Sequence, residues 1–552
     1  MHEAQRKIGN YIFEDIYRLD SDKKDKPAIY YKGDIFSFDE LDKSVNYLAS
    51  ILKEKGIKKD DHVALLSMNS YNWVVSFFAI CKIGAVAVLL NYMARHDSIK
   101  DAINFTDCKY LVYGEYLAKQ KDKRELTILL REVGIDKENT LSISNSDLSF
   151  KEILNDNKDI KEVVSTYSRE EESKRTSYII FTTGTTAKPK AAMLSQYSLM
   201  NIIYHNFYKL DPVFPDKFMC LLPVFHCFGL LVINAYMAYQ RCVYLNDLLN
   251  AKQLYKEFLK NKCGDYASVS IIYDKLARAP FFWLHRGRFV EHCIVGGGFT
   301  SEKEFAFLER RFSKAIFMNG YGQTECSPMI SLVYPDSPKE KQKTTVGTLM
   351  EDIEVAIMDP NTKKIISSHE SGEILIKGYN VFNGYYKMDK DHQPFDKDGW
   401  LHTGDLGYID NDGYLVLNGR IKDIIIRKGE NISPKEIEQA MTKFKEFGRI
   451  RVLGFPSLDD GEYILACVEL KKKPPHFVEQ KYLDALHDDL PSIKIPSHII
   501  YMKKFPLTAN GKLDEVKLRE ICMKKLSIFV NKKLAKETVK LLKQMGKNKK
   551  HK

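Results

Sequence analysis

The spacing of hydrophobic and polar positions predicts that helices and strands alternate along the chain. Ser37 and Glu40 form a capping box, and apolar residues follow at helical spacing as far as Gly56, so a helix is expected here. Residues 62–66 are a short apolar run and predict the strand that follows this helix. The apolar helix positions are Leu41, Val45, Leu48 and Leu52.

Residues 73–90 form the most membrane-like stretch of the sequence. Asn72 and Lys82 bring polar groups to it, and Gly84 interrupts it, so no uniform apolar span of membrane length remains. The pattern favours a buried helix followed by a buried strand at residues 85–90.

A β-α-β unit is predicted in the middle of the chain. An apolar run at 293–295 leads into glycines, a helix capped at Ser301, and a strand at 315–318 that ends in a loop at 319–322. Open α/β sheets bind ligands at the carboxyl ends of their strands, and the loop after Phe181 has the same placement. We therefore expect an α/β fold in which three loops converge on one ligand site.

The pattern changes to short strands late in the chain. Residues 410–413 are a hairpin signal, and after Arg420 a new unit begins, with a helix starting at Pro434 and a strand at 452–455. We place a domain boundary near Lys422. The predicted domains are residues 1–420, 421–523 and 524–552.

Composition agrees with a cytosolic globular protein. The chain has 552 residues, of which 44% are hydrophobic and 28% charged, which is ordinary for a globular protein large enough for more than one core. The ten cysteines show neither metal-site spacing nor a disulfide framework, so buried reduced thiols are expected. The N-terminal residues lack the apolar region of a secretory signal, and we expect a cytoplasmic location.

The positive charge is concentrated in the tail. Residues 524–552 contain eleven lysines and one glutamate and so carry +10 of the net +11, which leaves a nearly neutral body and little support for nucleic-acid binding. One face of the predicted tail helix is mostly apolar. The tail helix either docks on the rest of the protein through this face or lies peripherally on an anionic membrane surface. The apolar face holds Leu526, Val530, Leu534, Leu541 and Met545.

Residues 181–192, with the sequence FTTGTTAKPKAA, have the composition of a phosphate-binding loop. Four threonine hydroxyls, backbone N–H groups and two lysines can surround an anion after an apolar strand. A Walker A loop needs glycine before its lysine and Ser or Thr after it, but Pro189 and Ala191 occupy those places. Kinase and GTPase functions are therefore disfavoured.

The loop resembles the Thr-Ser-Gly-Thr-Thr-Gly-x-Pro-Lys-Gly signature of the adenylate-forming superfamily, which includes acyl-CoA synthetases, peptide-synthetase adenylation domains and firefly-type luciferases. Further motifs of that superfamily occur in its order, and the resemblance covers roughly residues 10–525. These motifs lie at residues 222–229, 321–325, 372–374, 384–386, 403–405, 419–423 and 505–512.

The resemblance implies both a fold and a reaction. The fold would be a large N-terminal domain of α/β sheets with a small β-barrel-like part, and a small mobile α+β C-terminal domain that turns about a hinge at Lys422. The enzyme would use ATP and Mg²⁺ to convert a carboxylic acid to acyl-AMP, releasing pyrophosphate, and would then transfer the acyl group to coenzyme A.

The resemblance also assigns roles to individual residues. Glu325 would hold Mg²⁺, where the alternative is an ordinary glutamate at a helix start. Tyr321 would stack on adenine, Thr324 would touch the α-phosphate, and Asp405 would accept the ribose hydroxyls, where the alternative is a turn aspartate. Arg420 would be a second ribose contact or a surface salt bridge. The other nucleotide-binding candidates are Thr182, Thr183, Gly184, Thr185, Thr186, Lys190, Gly297, Gly298, Asn319 and Gly322, with Thr182 also a catalytic candidate.

Lys512 matches the catalytic lysine that neutralises charge as the acid attacks the α-phosphorus, whereas a loop lysine is otherwise usually solvated. His226 stands in an aromatic run, and a histidine in such a run is ordinarily a buried core residue. The resemblance instead implies that His226 lines the acid pocket, where it would act as a gate rather than as a general base. Gly429 belongs to the segment 429–434, which resembles the loop that flanks pantetheine in CoA ligases.

Several positions depart from the superfamily pattern. Thr183 replaces serine, and Ala187 and Ala191 replace glycines, which costs about 1 kcal/mol or more wherever a positive φ is required. Phe299 and Leu349 stand where proline is usual and alter the expected shape of the adenine or acyl pocket.

The acid is predicted from one segment. Residues 225–229, with Ala235 and Ala238 on the following helix, suggest an apolar pocket for a medium or long fatty acid, and aryl acids stay open. Coenzyme A is the favoured acceptor. The alternatives are a separate carrier protein, a luciferase-like oxygenase and a nucleotide- or acyl-binding pseudoenzyme.

Overall fold

The computed structural model describes residues 7–114, 124–156, 160–165, 167–182, 189–211, 214–246, 251–278, 288–297, 302–457, 461–470, 478–507 and 513–529. The chain divides into two units. The first comprises Met1–Val355 and Ile376–Leu401, and the second comprises Ala356–Leu375 and His402–Lys552.

The strands of the first unit are listed here in chain order. They are β1 (Pro27–Tyr31), β2 (Asp34–Ser37), β3 (His62–Leu66), β4 (Val86–Leu89), β5 (Tyr110–Tyr113), β6 (Thr140–Ser142), β7 (Thr176–Thr182), β8 (Lys190–Ser195), β9 (Lys217–Cys220), β10 (Cys242–Leu245), β11 (Asp265–Ser268), β12 (His292–Val295), β13 (Ile316–Tyr321), β14 (Ser331–Leu332) and β15 (Thr348–Leu349).

The helices of the first unit lie between these strands. They are α1 (Glu14–Tyr17), α2 (Phe38–Glu54), α3 (Tyr71–Lys82), α4 (His96–Phe105), α5 (Arg124–Val133), α6 (Phe150–Asn155), α7 (Arg169–Lys174), α8 (Gln196–Asn206), α9 (Cys227–Ala238), α10 (Ala251–Asn261), α11 (Ser270–Ala277), α12 (Glu302–Arg311) and α13 (Lys339–Thr344).

Two largely parallel sheets organise the first unit. One has the order β6-β5-β3-β4-β7-β8 and is parallel except for its β7-β8 edge. The other has the order β15-β14-β13-β12-β11-β9-β10-β1-β2 and is parallel from β13 to β1, with antiparallel strands at both edges. The predicted α/β class is confirmed.

Local sequence signals explain several of these elements. The capping box that begins α2 is present, because the Ser37 hydroxyl accepts the Glu40 N–H and the Glu40 carboxylate accepts the Ser37 N–H. Every residue of α3 is buried, and β4 follows it, as predicted for residues 73–90. Among the described residues, no helix is both long and apolar enough to cross a membrane.

Strand β13 is longer than predicted. The glycine-bearing segment 319–322 was expected to be a loop, but Asn319, Gly320 and Tyr321 continue the strand. The reason is a long-range one: Gly320 and Tyr321 pair with β14, and this partner is absent from the local pattern.

The second unit begins with short strands. They are β16 (Glu354–Met358), β17 (Ile365–Ile366), β18 (Gly372–Lys377), β19 (Leu401–Ile409) and β20 (Leu415–Arg420). They form one sheet of order β17-β16-β18-β19-β20. The boundaries between the two units fall within β16 and β18 and at the start of β19. The hairpin predicted around residues 410–413 is confirmed between β19 and β20, with Gly413 at φ +83°.

The remaining elements form a compact α+β group. They are β21 (Ile425–Arg427), β22 (Glu430–Ile432), α14 (Pro434–Met441), β23 (Phe447–Ser457), β24 (Gly461–Leu470), α15 (Glu479–Leu486), β25 (His498–Met502) and α16 (Glu515–Phe529), with the sheet order β22-β21-β24-β23 and β25 paired to β24.

The two faces of β24 explain this layering. Ile464 and Val468 point to the face covered by α14 and α15, and Leu465 and Cys467 point to the face covered by α16, as the two-residue period of a strand requires. The predicted helix start at Pro434 is confirmed. All ten cysteines of the chain are buried thiols, as expected.

Candidate active site

The phosphate-loop candidate lies between β7 and the last strand of its sheet, β8. Thr182 and Lys190 are opposite each other at the end of this antiparallel pair, so the two ends of the loop are held together. Ala191 lies within β8, where its Cβ causes no left-handed strain. Four loop candidates and Ala187 lie outside the described residues. These candidates are Thr183, Gly184, Thr185 and Thr186.

A second segment, residues 383–386, pairs with the other side of β8. The Met193 N–H donates to Gly384 O at 2.9 Å, and the Tyr386 N–H donates to Ala191 O at 2.8 Å. This pairing brings Tyr385 opposite Ala192, next to the phosphate loop. The sequence motif contained Tyr385 but gave it no role.

Tyr385 contacts two of the predicted site residues. Its hydroxyl donates to Glu325 Oε1 at 2.5 Å, and Lys190 Nζ lies 4.8 Å from the centroid of its ring. Burial, and then the Glu325 carboxylate, raise the pKa of Tyr385 above its usual value, and the nearby Thr182 hydroxyl offsets only part of that rise. Tyr385 is therefore a protonated hydrogen-bond donor at neutral pH.

The Thr182 hydroxyl oxygen is buried and, although it lies near the Tyr385 hydroxyl, it forms no hydrogen bond of accepted geometry among the described residues, since the Tyr385 hydroxyl donates to Glu325. Such groups are rare in folded proteins because an unpaired buried hydroxyl costs free energy, and each needs an explanation. A ligand oxygen at the phosphate loop would supply the missing partner.

Glu325 lies on the single 3-10 turn Thr324–Cys326. Its carbonyl accepts the Phe382 N–H at 3.0 Å, so both its backbone and its carboxylate are held by the segment that contains Tyr385. Over the described ranges, no group of three or more His, Cys, Asp or Glu residues is arranged to hold a metal ion. A single carboxylate suits Mg²⁺, which keeps waters and substrate phosphates as its other ligands.

Three nucleotide candidates among the described residues, Gly297, Asn319 and Tyr321, lie at or near the carboxyl ends of β12 and β13. Val295 and Asn319 are paired across these parallel strands, so Gly297, with φ +77°, follows β12 beside the end of β13. Tyr321 is buried, and the Asn319 side chain donates to Thr345 O at 3.2 Å. Gly298 lies outside the described residues.

Gly322 follows Tyr321 at a position that has no room for a side chain. A Cβ there would lie 1.6 Å from Pro328 O, a backbone atom that cannot be displaced by a rotamer change. Only glycine therefore allows the chain to turn from β13 into the 3-10 turn that carries Glu325.

His226 and Thr324 are linked through Cys227. His226 is the N-cap of α9, and its Nδ1 accepts the Phe228 N–H at 3.4 Å. Cys227 Sγ lies 3.6 Å from His226 Nδ1 and 3.3 Å from Thr324 Oγ1. The acid-pocket motif thus adjoins the α-phosphate candidate, and the part played by Cys227 was not anticipated.

The Phe228 ring adjoins the glycine loop after β12. A Cβ on Gly296 would lie 3.1 Å from the Phe228 ring. A Cβ at this position would therefore require the ring to shift by a few tenths of an ångström.

Asp405 and Arg420 lie within the second unit and form an ion pair. They are opposite each other on β19 and β20, with Arg420 Nε 2.8 Å from Asp405 Oδ1. Asp405 is nearly buried and Arg420 is half exposed. The salt bridge considered for Arg420 is present, and it holds the predicted ribose ligand.

Three other candidates belong to the C-terminal part of the sequence. Lys422 is an exposed residue of the 3-10 turn Ile421–Asp423. Gly429, with φ +81°, and Lys428, with φ +51°, form the two-residue turn between β21 and β22 that such hairpins favour. Lys512 lies outside the described residues.

The α/β architecture, with the ends of the phosphate-loop candidate beside the Glu325 carboxylate, agrees with a nucleotide-dependent enzyme. Residues 18–386 match the family described as AMP-binding enzyme, and residues 436–512 match the AMP-binding enzyme C-terminal domain. The chain belongs to this family of adenylate-forming ligases, and its relatives are acyl-CoA synthetases and ligases.

Two relatives and one solved structure indicate the degree of similarity. The medium-chain acyl-CoA ligase ACSF2, mitochondrial, of Homo sapiens is 28% identical over 88% of this chain and 82% of its own length. The acyl-CoA ligase sidI of Beauveria bassiana is 28% identical over 90% of this chain and 88% of its own. ATP-bound MatB from Rhodopseudomonas palustris superposes with a TM-score of 0.81 at 24% identity, over 92% of this chain and 98% of that one, which shows a shared fold.

Proposed function

We propose that this ligase activates a carboxylic acid with ATP and transfers the acyl group to coenzyme A. The observation that supports this most is the cluster formed by Thr182, Lys190, Glu325 and Tyr385. It combines a phosphate-binding hairpin, a cation and a carboxylate suited to Mg²⁺ at one place in the first unit.

The reaction has two steps. A carboxylate oxygen of the acid attacks the α-phosphorus of ATP, and the bond to pyrophosphate breaks, which gives acyl-AMP. The thiol sulfur of coenzyme A then attacks the acyl carbonyl, and AMP leaves with the oxygen that came from the acid. Activation is needed because a free carboxylate is anionic and its oxygen is a poor leaving group.

The first step requires stabilisation of negative charge. We assign the phosphates to Thr182, the loop that follows it and Lys190, and the metal to Glu325. Bound Mg²⁺ would neutralise phosphate charge at this position. We propose that Lys512 neutralises the negative charge that develops as the acid attacks the α-phosphorus. A positioned cation acts most strongly where charge appears in the transition state.

Candidate residues for binding adenosine occur in each unit. Tyr321 would stack on adenine beside Asn319 and the glycines at 297 and 322, and Thr324 would contact the α-phosphate. Asp405, held by Arg420, would accept the ribose hydroxyls, and its near burial strengthens such hydrogen bonds.

The second step would use a different orientation of the C-terminal domain, residues 421–523. Lys422, an exposed residue of the 3-10 turn Ile421–Asp423, is the proposed hinge. The turn at Gly429 would flank the pantetheine arm of coenzyme A. The pantetheine of a carrier protein is the alternative acceptor.

We propose a medium- or long-chain fatty acid as substrate, with His226 at the entrance to its pocket. The apolar α9, which follows His226, and the Phe228 ring beside Gly296 support an apolar pocket. The medium-chain ligase among the relatives points in the same direction.

A panel of acids tests the proposal. Fatty acids of increasing length and aryl acids are each incubated with the protein, ATP, Mg²⁺ and coenzyme A, and mass spectrometry follows thioester and AMP. We expect acid-dependent AMP and an acyl-CoA from one class of acid, and loss of both in Glu325→Gln. AMP without thioester, restored by a carrier protein, would favour the alternative acceptor, and no acid-dependent AMP would contradict the proposal.

A further inference from the structure

Tyr385 occupies an unusually constrained position in the first unit. Its N–H donates to Gln393 Oε1 at 2.8 Å, and its carbonyl accepts from Gln393 Nε2 at 2.9 Å, so one amide side chain holds both backbone groups. It also bridges to Ala192 of β8, and its side chain is 6% exposed. The ring therefore has a fixed place between β8 and the turn of Glu325.

The hydroxyl of Tyr385 restricts the Glu325 carboxylate. A hydrogen bond of 2.5 Å to Oε1 selects one rotamer of a side chain that otherwise has several, and it leaves Oε2 as the second oxygen of the carboxylate. The ring face of the same residue lies 4.8 Å from Lys190 Nζ, within the range of a cation–π contact. One side chain thus touches the carboxylate and the cation.

We propose that Tyr385 is a positioning residue that holds Glu325 ready for the magnesium ion of MgATP. The inference rests on the proposed function, which assigns Mg²⁺ to Glu325. Partners that orient a metal-binding side chain commonly contribute 10- to 100-fold to metal affinity or activity. Tyr385 would act through the carboxylate and would not itself bind the metal.

The chain offers a matched control in the next residue. Tyr386 lies on the same segment, and its hydroxyl donates to Asp107 Oδ2 at 2.8 Å, on the surface and away from Glu325. Tyr385→Phe and Tyr386→Phe each remove one hydroxyl and keep the ring. Tyr385→Phe also keeps the contact between the ring and Lys190, so it removes the hydrogen bond to Glu325 and, with it, only the contact of the hydroxyl with Thr182.

Calorimetric titration with ATP, in Mg²⁺ and in EDTA, tests the inference without relying on turnover. We expect Tyr385→Phe to weaken binding about 10-fold or more in Mg²⁺ and less than about twofold in EDTA. Tyr386→Phe should match the wild type in both. Added to Glu325→Gln, Tyr385→Phe should cause no further loss, because its effect passes through Glu325.

Two results would overturn the inference while leaving the proposed function intact. One is unchanged MgATP affinity in Tyr385→Phe, and the other is an equal loss in Mg²⁺ and EDTA, which would indicate a general structural role. If the wild type itself gains no ATP affinity from Mg²⁺, the assignment of the metal to Glu325 fails, and the inference fails with it.

Discussion

Replacing Thr182 with valine should change stability and nucleotide binding in opposite directions. The Thr182 hydroxyl oxygen is buried without a partner among the described residues, and valine keeps the β-branched shape that suits the end of β7. An unpaired buried hydroxyl costs about 1–3 kcal/mol. Because the hydroxyl lies near that of Tyr385, we take the lower end and expect Thr182→Val to raise the free energy of unfolding by about 1 kcal/mol.

The same substitution should weaken ATP binding. A hydrogen bond from Thr182 to a charged phosphate oxygen would contribute about 1.5–3 kcal/mol. Its loss corresponds to an increase of about 10- to 150-fold in the dissociation constant for MgATP. A residue with only a structural role would not produce this combination of higher stability and lower affinity.

Thr106→Val is the matched control. The Thr106 hydroxyl is also buried in the first unit, but it donates to Ala102 O at 2.7 Å. Its replacement should lower the free energy of unfolding by about 1 kcal/mol and leave ATP binding unchanged. Denaturant unfolding and calorimetric titration measure the two quantities. If Thr182→Val loses as much stability as Thr106→Val and still binds ATP with wild-type affinity, the account of Thr182 is refuted.

Four further predictions concern the second unit and the tail. Lys512→Ala should slow acyl-AMP formation about 100-fold or more while thioester formation from supplied acyl-AMP survives, and equal losses in the two assays would refute this division. Lys422→Pro, which fixes φ near −65°, should preserve acid-dependent pyrophosphate release but abolish CoA transfer; normal turnover in the folded variant would place the hinge elsewhere. Burial lowers the pKa of Lys435 to about 8, so between about pH 8 and 10 the unfolded chain binds a proton that the folded protein has lost. The wild type should therefore gain stability relative to Lys435→Met as the pH rises through this range, and parallel unfolding curves would contradict this. Deleting the basic tail, residues 524–552, should abolish salt-sensitive sedimentation with anionic vesicles and spare activity on a soluble short acid; a full-length protein that ignores such vesicles at low salt would leave docking on the body or a protein partner as the role of the tail.

Local sequence patterns predicted the elements whose signals are contained within a few residues. The capping box of Ser37 and Glu40, the buried helix α3 and the hairpin around Gly413 depend on neighbouring residues alone, and all were found. The motif order likewise led to the correct superfamily.

Contacts between distant segments could not be read in this way. β13 continues through Gly320 and Tyr321 because β14 pairs with them, whereas Gly itself disfavours strands. Tyr385 reaches Glu325 because its segment pairs with β8, far earlier in the chain. The sequence motif contains the tyrosine, but only the fold reveals the residue that it touches.

The same limit applies to Cys227. It looked like an ordinary buried thiol of an aromatic run, yet it lies between His226 and Thr324. No spacing rule connects residues 227 and 324, because their proximity depends on where α9 begins relative to the end of β13.

The central claim is that a carboxylate oxygen of the acid becomes bonded to the α-phosphorus of ATP and leaves with AMP. An acid labelled with heavy oxygen at both carboxyl positions, incubated with the protein, ATP, Mg²⁺ and coenzyme A, tests this claim most directly. Mass spectrometry should find one heavy oxygen in AMP, one in the acyl-CoA and none in pyrophosphate. Unlabelled AMP, or ADP together with labelled inorganic phosphate, would contradict an acyl-AMP intermediate.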